Sequence, residues 1–388
     1  MAQAPTQTHS HTLAYAAFIA LVCVFLALDL GVFHRKAHVV SMKEAIRWSF
    51  IWIACGLAFS GVVHQAYEHH WLGLGLDTPM YGAAAASGKH AVVNGEVGGL
   101  EAAKQYLAGY LVEKSLAMDN IFVIAIVFGY FGIPEKYQHR VLFWGIVGAI
   151  IMRGAMIYLG AELIHRFTWI LIFFGLFLLF TAIKMAIIKG NDDPGKNPVV
   201  RLAKRVLPVT DFLDGPHFIT RRTLAPTYSK DPGSGEMRRD PAPPGTLSAT
   251  RHFTPLFLAL LVVEFTDLIF AADSIPAVFA ITPDPFIVFT SNIFAILGLR
   301  SLYFCLAAMI DRFRLLKPAL IVIMAFVGVK LMLMATPPYL DDIGGWFGLK
   351  IAEGHPVKIP TVWSLGVVVF VLLGGIVGSL LLPPKKQA

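Results

Sequence analysis

The sequence predicts an all-α fold, a polytopic membrane helix bundle of about nine transmembrane helices that contains two inverted three-helix repeats. Three observations carry this. Hydrophobic residues make up 56% of the 388, charged residues only 15%, and there are 29 phenylalanines, a composition that fits a membrane protein and not a soluble domain. Apolar runs of about 20 residues, the length one crossing needs, recur along the whole chain. Two of those runs carry acids at matching positions.

The runs fall at 13–33, 47–64, 107–130, 141–162, 168–189, 254–281, 287–308, 318–336 and 361–382. The first has no basic residue before it and is followed by His34, Arg35 and Lys36, so it reads as a retained span and not as a cleaved leader. Loops that alternate to one side (34–47, 130–140, 184–252, 309–317 and 383–388) hold 23 of the 32 Lys and Arg. That side is cytoplasmic by the positive-inside rule, which puts the N-terminus outside and the C-terminus inside a bacterial-type cytoplasmic membrane. The net charge of +7 therefore reports topology, and nucleic acid is not an expected partner.

The organisation that follows is two N-terminal spans with an outer loop (1–106), a first triplet (107–189), a cytoplasmic linker (190–252), a second triplet (253–336), and an outer loop with the last span and tail (337–388). The linker is rich in Pro, Gly, Arg and Asp, and its RLAKRVL stretch reads as a short amphipathic helix on the membrane surface. Cys23, Cys55 and Cys305 lie within apolar runs without CxxC spacing, which suggests neither a disulfide framework nor a thiolate metal site.

Acids inside the spans are the functional signal. LVEKSLAMDNIFVIAIVF carries Glu113, Asp119 and Asn120; LVVEFTDLIFAADSIPAVFAIT carries Glu264, Asp267, Asp273 and Ser274. A carboxylate at the bilayer centre costs roughly 2.5–3.5 kcal/mol, so five unpartnered ones would cost on the order of 12–17 kcal/mol. A bound cation is the simplest compensation. The spacing repeats: six positions separate Glu113 from Asp119 and Asp267 from Asp273, while Arg153 to Lys184 spans 31 and Arg300 to Lys330 spans 30. Three crossings per copy make the second copy enter from the opposite face, the inverted arrangement from which many transporters build a midplane site.

Glu264 and Asp267, at i and i+3, share a helix face, whereas Asp267 and Asp273 would point about 240° apart on a regular helix. Pro276 is expected to break that helix and free a carbonyl near Ala272. Carboxylate, amide, hydroxyl and carbonyl oxygens are hard ligands suited to Mn, Mg or Ca. The alternative is that the acids only pair with Lys114, Arg153, Lys184, Arg300 and Lys330 to hold helices together. Asp29, near the cytoplasmic end of the first span, is a further candidate, and HQAYEHH (His64, Glu68, His69, His70) reads as a solvated outer loop that could collect metal. Absence of a P-loop, GxSxG or HExxH motif leaves ATP-driven pumping and hydrolysis unsupported, so no enzyme activity and no prosthetic group is expected.

LAGYLVEKSLAMDNIFVIAIVFGYFGIP, LLFTAIKM and LVVEFTDLIFAADSIPAVFAITPDPFIVFTSNIFAILGLRSLYF together resemble the TerC family of integral membrane proteins, in its Alx branch. The likeness covers most of 13–382. It implies manganese export or metal homeostasis, with tellurite resistance as the historical name, and it makes Mn(II) the transported ion where the residues alone reach only a hard divalent cation. The family's acids map onto Glu113, Asp119, Asp267 and Asp273, and also onto Asp29 and Glu264. The outer segment 66–106 and the Pro-rich stretch around 231–246 depart from the family pattern. The expectation is a secondary Mn(II) exporter with Asp119 and Asp273 as central ligands, Glu113, Asp267 and Glu264 flanking, and Asn120 and Ser274 as neutral donors. Arg153, Arg300, Lys184 and Lys330 would compensate charge. The alternatives are a membrane scaffold or metal-delivery factor, and an exporter of a small cationic organic solute.

Overall fold

The computed structural model describes residues 5–31, 41–81, 92–167, 169–187, 198–222, 228–230, 237–239, 247–307, 315–336 and 359–381. Its helices are α1 (Pro5–Gly31), α2 (Met42–Glu68), α3 (Gly99–Tyr130), α4 (Glu135–Arg166), α5 (Ile170–Ile187), α6 (Pro198–Val206), α7 (Pro255–Phe279), α8 (Pro285–Ile296), α9 (Leu299–Ala307), α10 (Leu316–Ala335) and α11 (Thr361–Leu381). Among the described residues, seven helices are long and apolar enough to cross a membrane, and the bent pair α8–α9 makes an eighth. The remaining expected span, α3, is 32 residues long, but Glu113, Lys114 and Asp119 lower its hydropathy. It can carry them because it lies inside the bundle, against α2, α7, α8, α9 and α11.

Local chemistry sets the helix ends. Gly132, at φ +57°, stops α3, and the Ile133 N–H returns to Phe128 O at 3.0 Å, the six-to-one bond of a glycine-terminated helix. Thr254 caps α7 and Pro255 opens it, a position where the missing amide hydrogen costs nothing. Contrary to the sequence expectation, Pro276 does not break α7, which runs on to Phe279. Pro276 lies in the last turn, so although its missing N–H leaves the Ala272 carbonyl without its helical partner, only one turn of helix beyond it has to adjust.

The break falls one span later. Asp284 caps α8, accepting from Phe286 N at 2.9 Å and Ile287 N at 3.4 Å, and α8 then ends after only 12 residues. Twelve residues rise about 18 Å, little more than half the ~30 Å hydrocarbon core. Gly298, at φ +80°, turns the chain 43° into α9. Phe286 to Ile296 are all buried, so α8 is a half-length helix with no lipid-facing side.

The two triplets, α3–α5 and α7–α10, pair reciprocally. α3 lies on α7, α3 on α8 and α9, α4 on α7, and α5 on α10. First helix meets first, third meets third, and each first helix meets the other triplet's second. α2 closes one side against α3 and α9, and α11 the other against α10 and α3. Ile151, Tyr158, Phe173, Phe180 and Phe370 face outward, as a lipid-covered surface requires.

The segments outside the bundle hold short antiparallel pairs where loops were expected. They are β1 (Thr78–Tyr81) with β2 (Val92–Gly95), β3 (Ile219–Arg222) with β6 (Leu247–Phe253), and β4 (Tyr228–Lys230) with β5 (Met237–Arg239). The RLAKRVL stretch is the basic helix α6, seated at the end of α7.

Gly298 has both a left-handed backbone and the Trp52 side chain where a Cβ would stand. Gly298→Ala should therefore destabilise the detergent-solubilised protein by roughly 2–4 kcal/mol through strain and overpacking. Gly129→Ala, where nothing lies within 4 Å of the added methyl, should be neutral or mildly stabilising in the same melting experiment.

Candidate functional site

Arg153 on α4 is the centre of the site. Its side chain is 1% exposed. Nη1 donates to Glu113 Oε1 of α3, to Ser274 Oγ of α7 at 3.3 Å and to Asn292 Oδ1 of α8 at 3.2 Å. Nη2 donates to Asp267 Oδ1 at 2.8 Å and Nε to Asp267 Oδ2 at 3.2 Å, a fork-on-fork pair with the α7 carboxylate. Asn120 Nδ2 adds a longer bond to Asp267 Oδ1 at 3.4 Å. Four helices are thus joined through one guanidinium.

Beside this network is a cavity of about 30 Å³ lined by Glu113, Asp119, Asn120, Arg153, Asp273 and Ser274, and closed by Leu116, Met185, Phe270, Leu320 and Met324. Glu113 Oε2 and Asn120 Oδ1 are buried without a hydrogen-bond partner among the described residues. Buried acceptors left unpaired are costly, so two such oxygens on residues lining one small cavity fit a cation. Thr181 Oγ1 of α5 donates to Asp273 Oδ1 at 3.0 Å and so fixes that carboxylate. A second cavity of about 20 Å³ is lined on the far side by Asn120, Thr266 and Asp267 with apolar neighbours. Asn120 lines both.

The predicted site residues are therefore divided. Glu113, Asp119, Asn120, Asp273 and Ser274 share the cavity, whereas both Asp267 oxygens are held by Arg153. Glu264 does not line the cavity; its carboxyl is pressed against Gly148 of α4, with Oε2 buried and unpartnered among the described residues. No three His, Cys, Asp or Glu side chains among the described residues converge closely enough to hold a metal ion. The cause is Arg153, which Glu113 and Asp267 enclose.

Of the other cations, Lys330 donates to Ser364 Oγ at 2.9 Å, Lys184 is exposed, and Arg300 is buried just past the α8–α9 break. Lys114, read only as an ion-pair candidate, donates to Ala295 O at 3.0 Å, a carbonyl in the last turn of α8 that the break leaves free. Asp29 lies in the last turn of α1, with its side chain outside the described residues. In HQAYEHH, Glu68 Oε2 accepts from Gly99 N at 3.1 Å and His70 Nε2 lies 3.5 Å from Glu96 Oε1; both contacts tie the outer segment to the bundle.

Asn292, Thr181 and Asp284 were missed by the sequence reading. Tyr67 Oη donates to Asp284 Oδ2 at 2.6 Å. Burial pushes the Asp284 carboxyl up, against the lowering effect of its bonds from Tyr67, Phe286 and Ile287. The rule that flagged the acids, a polar group inside an apolar run, would have flagged Asn292 had it been extended to amides.

Residues 99–387 match the model of the integral membrane protein TerC family. An uncharacterised membrane protein of Myxococcus xanthus, STKORF319, is 40% identical over 87% of this chain and 90% of its own length. Alx of Escherichia coli K12, named as a candidate membrane-bound redox modulator, is 40% identical over 87% of this chain and 92% of its own. Alx of Photorhabdus laumondii, with the same name, is 40% identical over 90% and 95%. No solved structure matches the chain.

The Glu264–Gly148 contact can be checked by a double-mutant cycle. Gly148→Ala should destabilise by roughly 1–3 kcal/mol, because the methyl would stand where the carboxyl is. Glu264→Ala in the same background should recover most of that loss, a coupling on the order of 1 kcal/mol or more. Additive melting shifts would mean that the carboxyl is not held there.

Proposed function

The chain belongs to the TerC family of integral membrane proteins, and from that premise we propose that it is a transporter, not an enzyme, that exports a hard divalent cation, Mn(II), through the cavity between its two helical triplets. The observation that carries this reading is that cavity, lined by three carboxylates, one amide and one hydroxyl, with the Glu113 Oε2 and Asn120 Oδ1 of that set buried and unpaired among the described residues. The donors are all oxygens, the set that suits Mn(II), Mg(II) or Ca(II), and of these Mn(II) is the ion that the resemblance drawn in the sequence analysis implies.

Size argues in the same direction. About 30 Å³ is room for one water-sized occupant, far below the ~300 Å³ or more of an organic-ligand pocket. A bare ion fits; a basic amino acid does not.

In this reading the triplets are an inverted repeat, and alternating access comes from one rocking against the other. The N-terminus lies outside and the C-terminus in the cytoplasm, as the loop charges favour. Asp119 and Asp273 are the central ligands, with Glu113, Asn120 and Ser274 completing the shell from the same cavity wall. Asp267 joins when Arg153 lets go of it.

In manganese-loaded cells at equal membrane levels of protein, the wild type should lower cellular manganese measured by mass spectrometry. Asp119→Asn and Asp273→Asn should return it to the level of cells lacking the protein. Export that survives both substitutions would remove this cavity from the path.

A further inference from the structure

We infer that Arg153 is a tethered counter-cation that occupies the ion site between cargo ions and competes with the cargo for the same oxygens. This rests on the cation-transport reading above and adds to it how the empty site is kept stable and what the cargo must displace.

The argument is a count of donors and charges. Of the oxygens on residues lining the cavity, Arg153 holds Glu113 Oε1 and Ser274 Oγ, and next to the cavity it holds both oxygens of Asp267. A hard divalent cation takes at least six oxygen ligands. Glu113 Oε2 and Asn120 Oδ1, with Asp119 and Asp273, reach six only if both aspartates bind through both oxygens; with each binding through one, the protein supplies four, and the other acid oxygens nearby, Glu113 Oε1 and the Asp267 pair, are the ones Arg153 holds. A guanidinium and a divalent ion sharing one buried carboxylate also repel each other strongly. One of the two positive charges can fully occupy the acids at a time.

The environment allows an exchange. Arg153 lines the cavity itself, and its Asn292 bond goes to a neutral amide on α8, a partner it can keep while releasing a carboxylate. Asn120, which bonds Asp267, lines both cavities together with Phe270, so these two side chains form the wall between them. Release of Asp267 by Arg153 would open that wall and add a carboxylate to the ion's shell in the same movement.

A residue that only holds helices together and a residue that competes with cargo differ in one measurable sign. Loss of a structural pair leaves cation affinity unchanged or weaker, whereas loss of a tethered competitor strengthens it, because the empty site no longer spends most of its time closed. Direct Mn(II) binding to the full-length, detergent-purified protein is the test, with wild type, Arg153→Gln and Arg153→Lys. Arg153→Gln should bind Mn(II) about tenfold more tightly than wild type or better. Arg153→Lys, which keeps the charge but cannot fork two acids, should fall between them. If Arg153→Gln does not give monodisperse protein, Arg153→Lys alone carries the test: a tighter Kd supports competition. An unchanged or weaker Kd in the folded variants overturns it. If the wild type itself fails to bind Mn(II), the transport reading falls first.

Discussion

Everything at the centre of this bundle depends on charge compensation away from bulk solvent. Glu113 and Asp267 are deep in a helical membrane protein, where an uncompensated carboxylate is costly, and Arg153 on α4 answers both through three bonds, with two more to Ser274 and Asn292, so that its side chain reaches α3, α7 and α8. Such a pair is poor at adding stability, because desolvation consumes most of the Coulomb gain. Its effect is geometric. The guanidinium fork is planar and fixed, so the relative positions of α3, α4, α7 and α8 are specified by where its five N–H groups can find acceptors. Two acids against one guanidinium also leave the cluster formally negative, with Asp119 and Asp273 adding to it, and that excess is what a divalent ion would neutralise.

The half-length helix α8 supplies the second constraint. It enters from the end of the bundle marked by Asp284, with that carboxylate on its N-terminal amides, and stops near mid-depth at Gly298. Capping at one end with an acid and at the other with Lys114 on Ala295 O satisfies both poles of its dipole. Irregular backbone at membrane depth is tolerated only where protein or a cavity surrounds it, which is why all of α8 is buried and why the break lies beside the charged cluster. Transporter folds use such half-helix ends at their binding sites.

Most of the bundle was legible because its signals are local. Span length needs only the order of residues, and the family resemblance rests on long unbroken motifs. The break was misplaced because proline is a strong local signal and position within the helix is not: Pro276 is harmless in a last turn, while Gly298 acts through its backbone angle and its contact with Trp52, a residue about 250 positions away. The division of the acids was illegible for the same reason. Nothing in the spacing of Glu113, Glu264 and Asp267 says that Arg153 will hold the first and third and not the second; that is decided by the crossing of α4 with α3 and α7. The short strands of the linker and outer segment carry weak, mixed patterns that a composition rich in Pro and Gly obscured.

The cavities also give the site a direction. A hollow of about 710 Å³, lined by His11, Asp77, Asn94, Glu162 and His165 among others, reaches down to Gly154, Ile157 and Phe289. Ile157 is four residues from Arg153 on α4, and Phe289 is three from Asn292 on α8, so the floor of the hollow lies about one helical turn, some 5.4 Å along each helix axis, from the backbone positions of Arg153 and Asn292. Phe279, seated on Gly160, and the buried side chain of Ile157 are placed to seal that turn. On the opposite side, the cavity next to Asp267 is small and walled mainly by Leu142, Ile146, Val263 and Ile296. With the orientation proposed above the hollow faces outward, and the thin barrier is the outer one. A cation that displaces Arg153 toward Asn292 would push on α8 within a turn of Phe289, the residue that floors the hollow, so filling the site and loosening its outer seal would be one mechanical event.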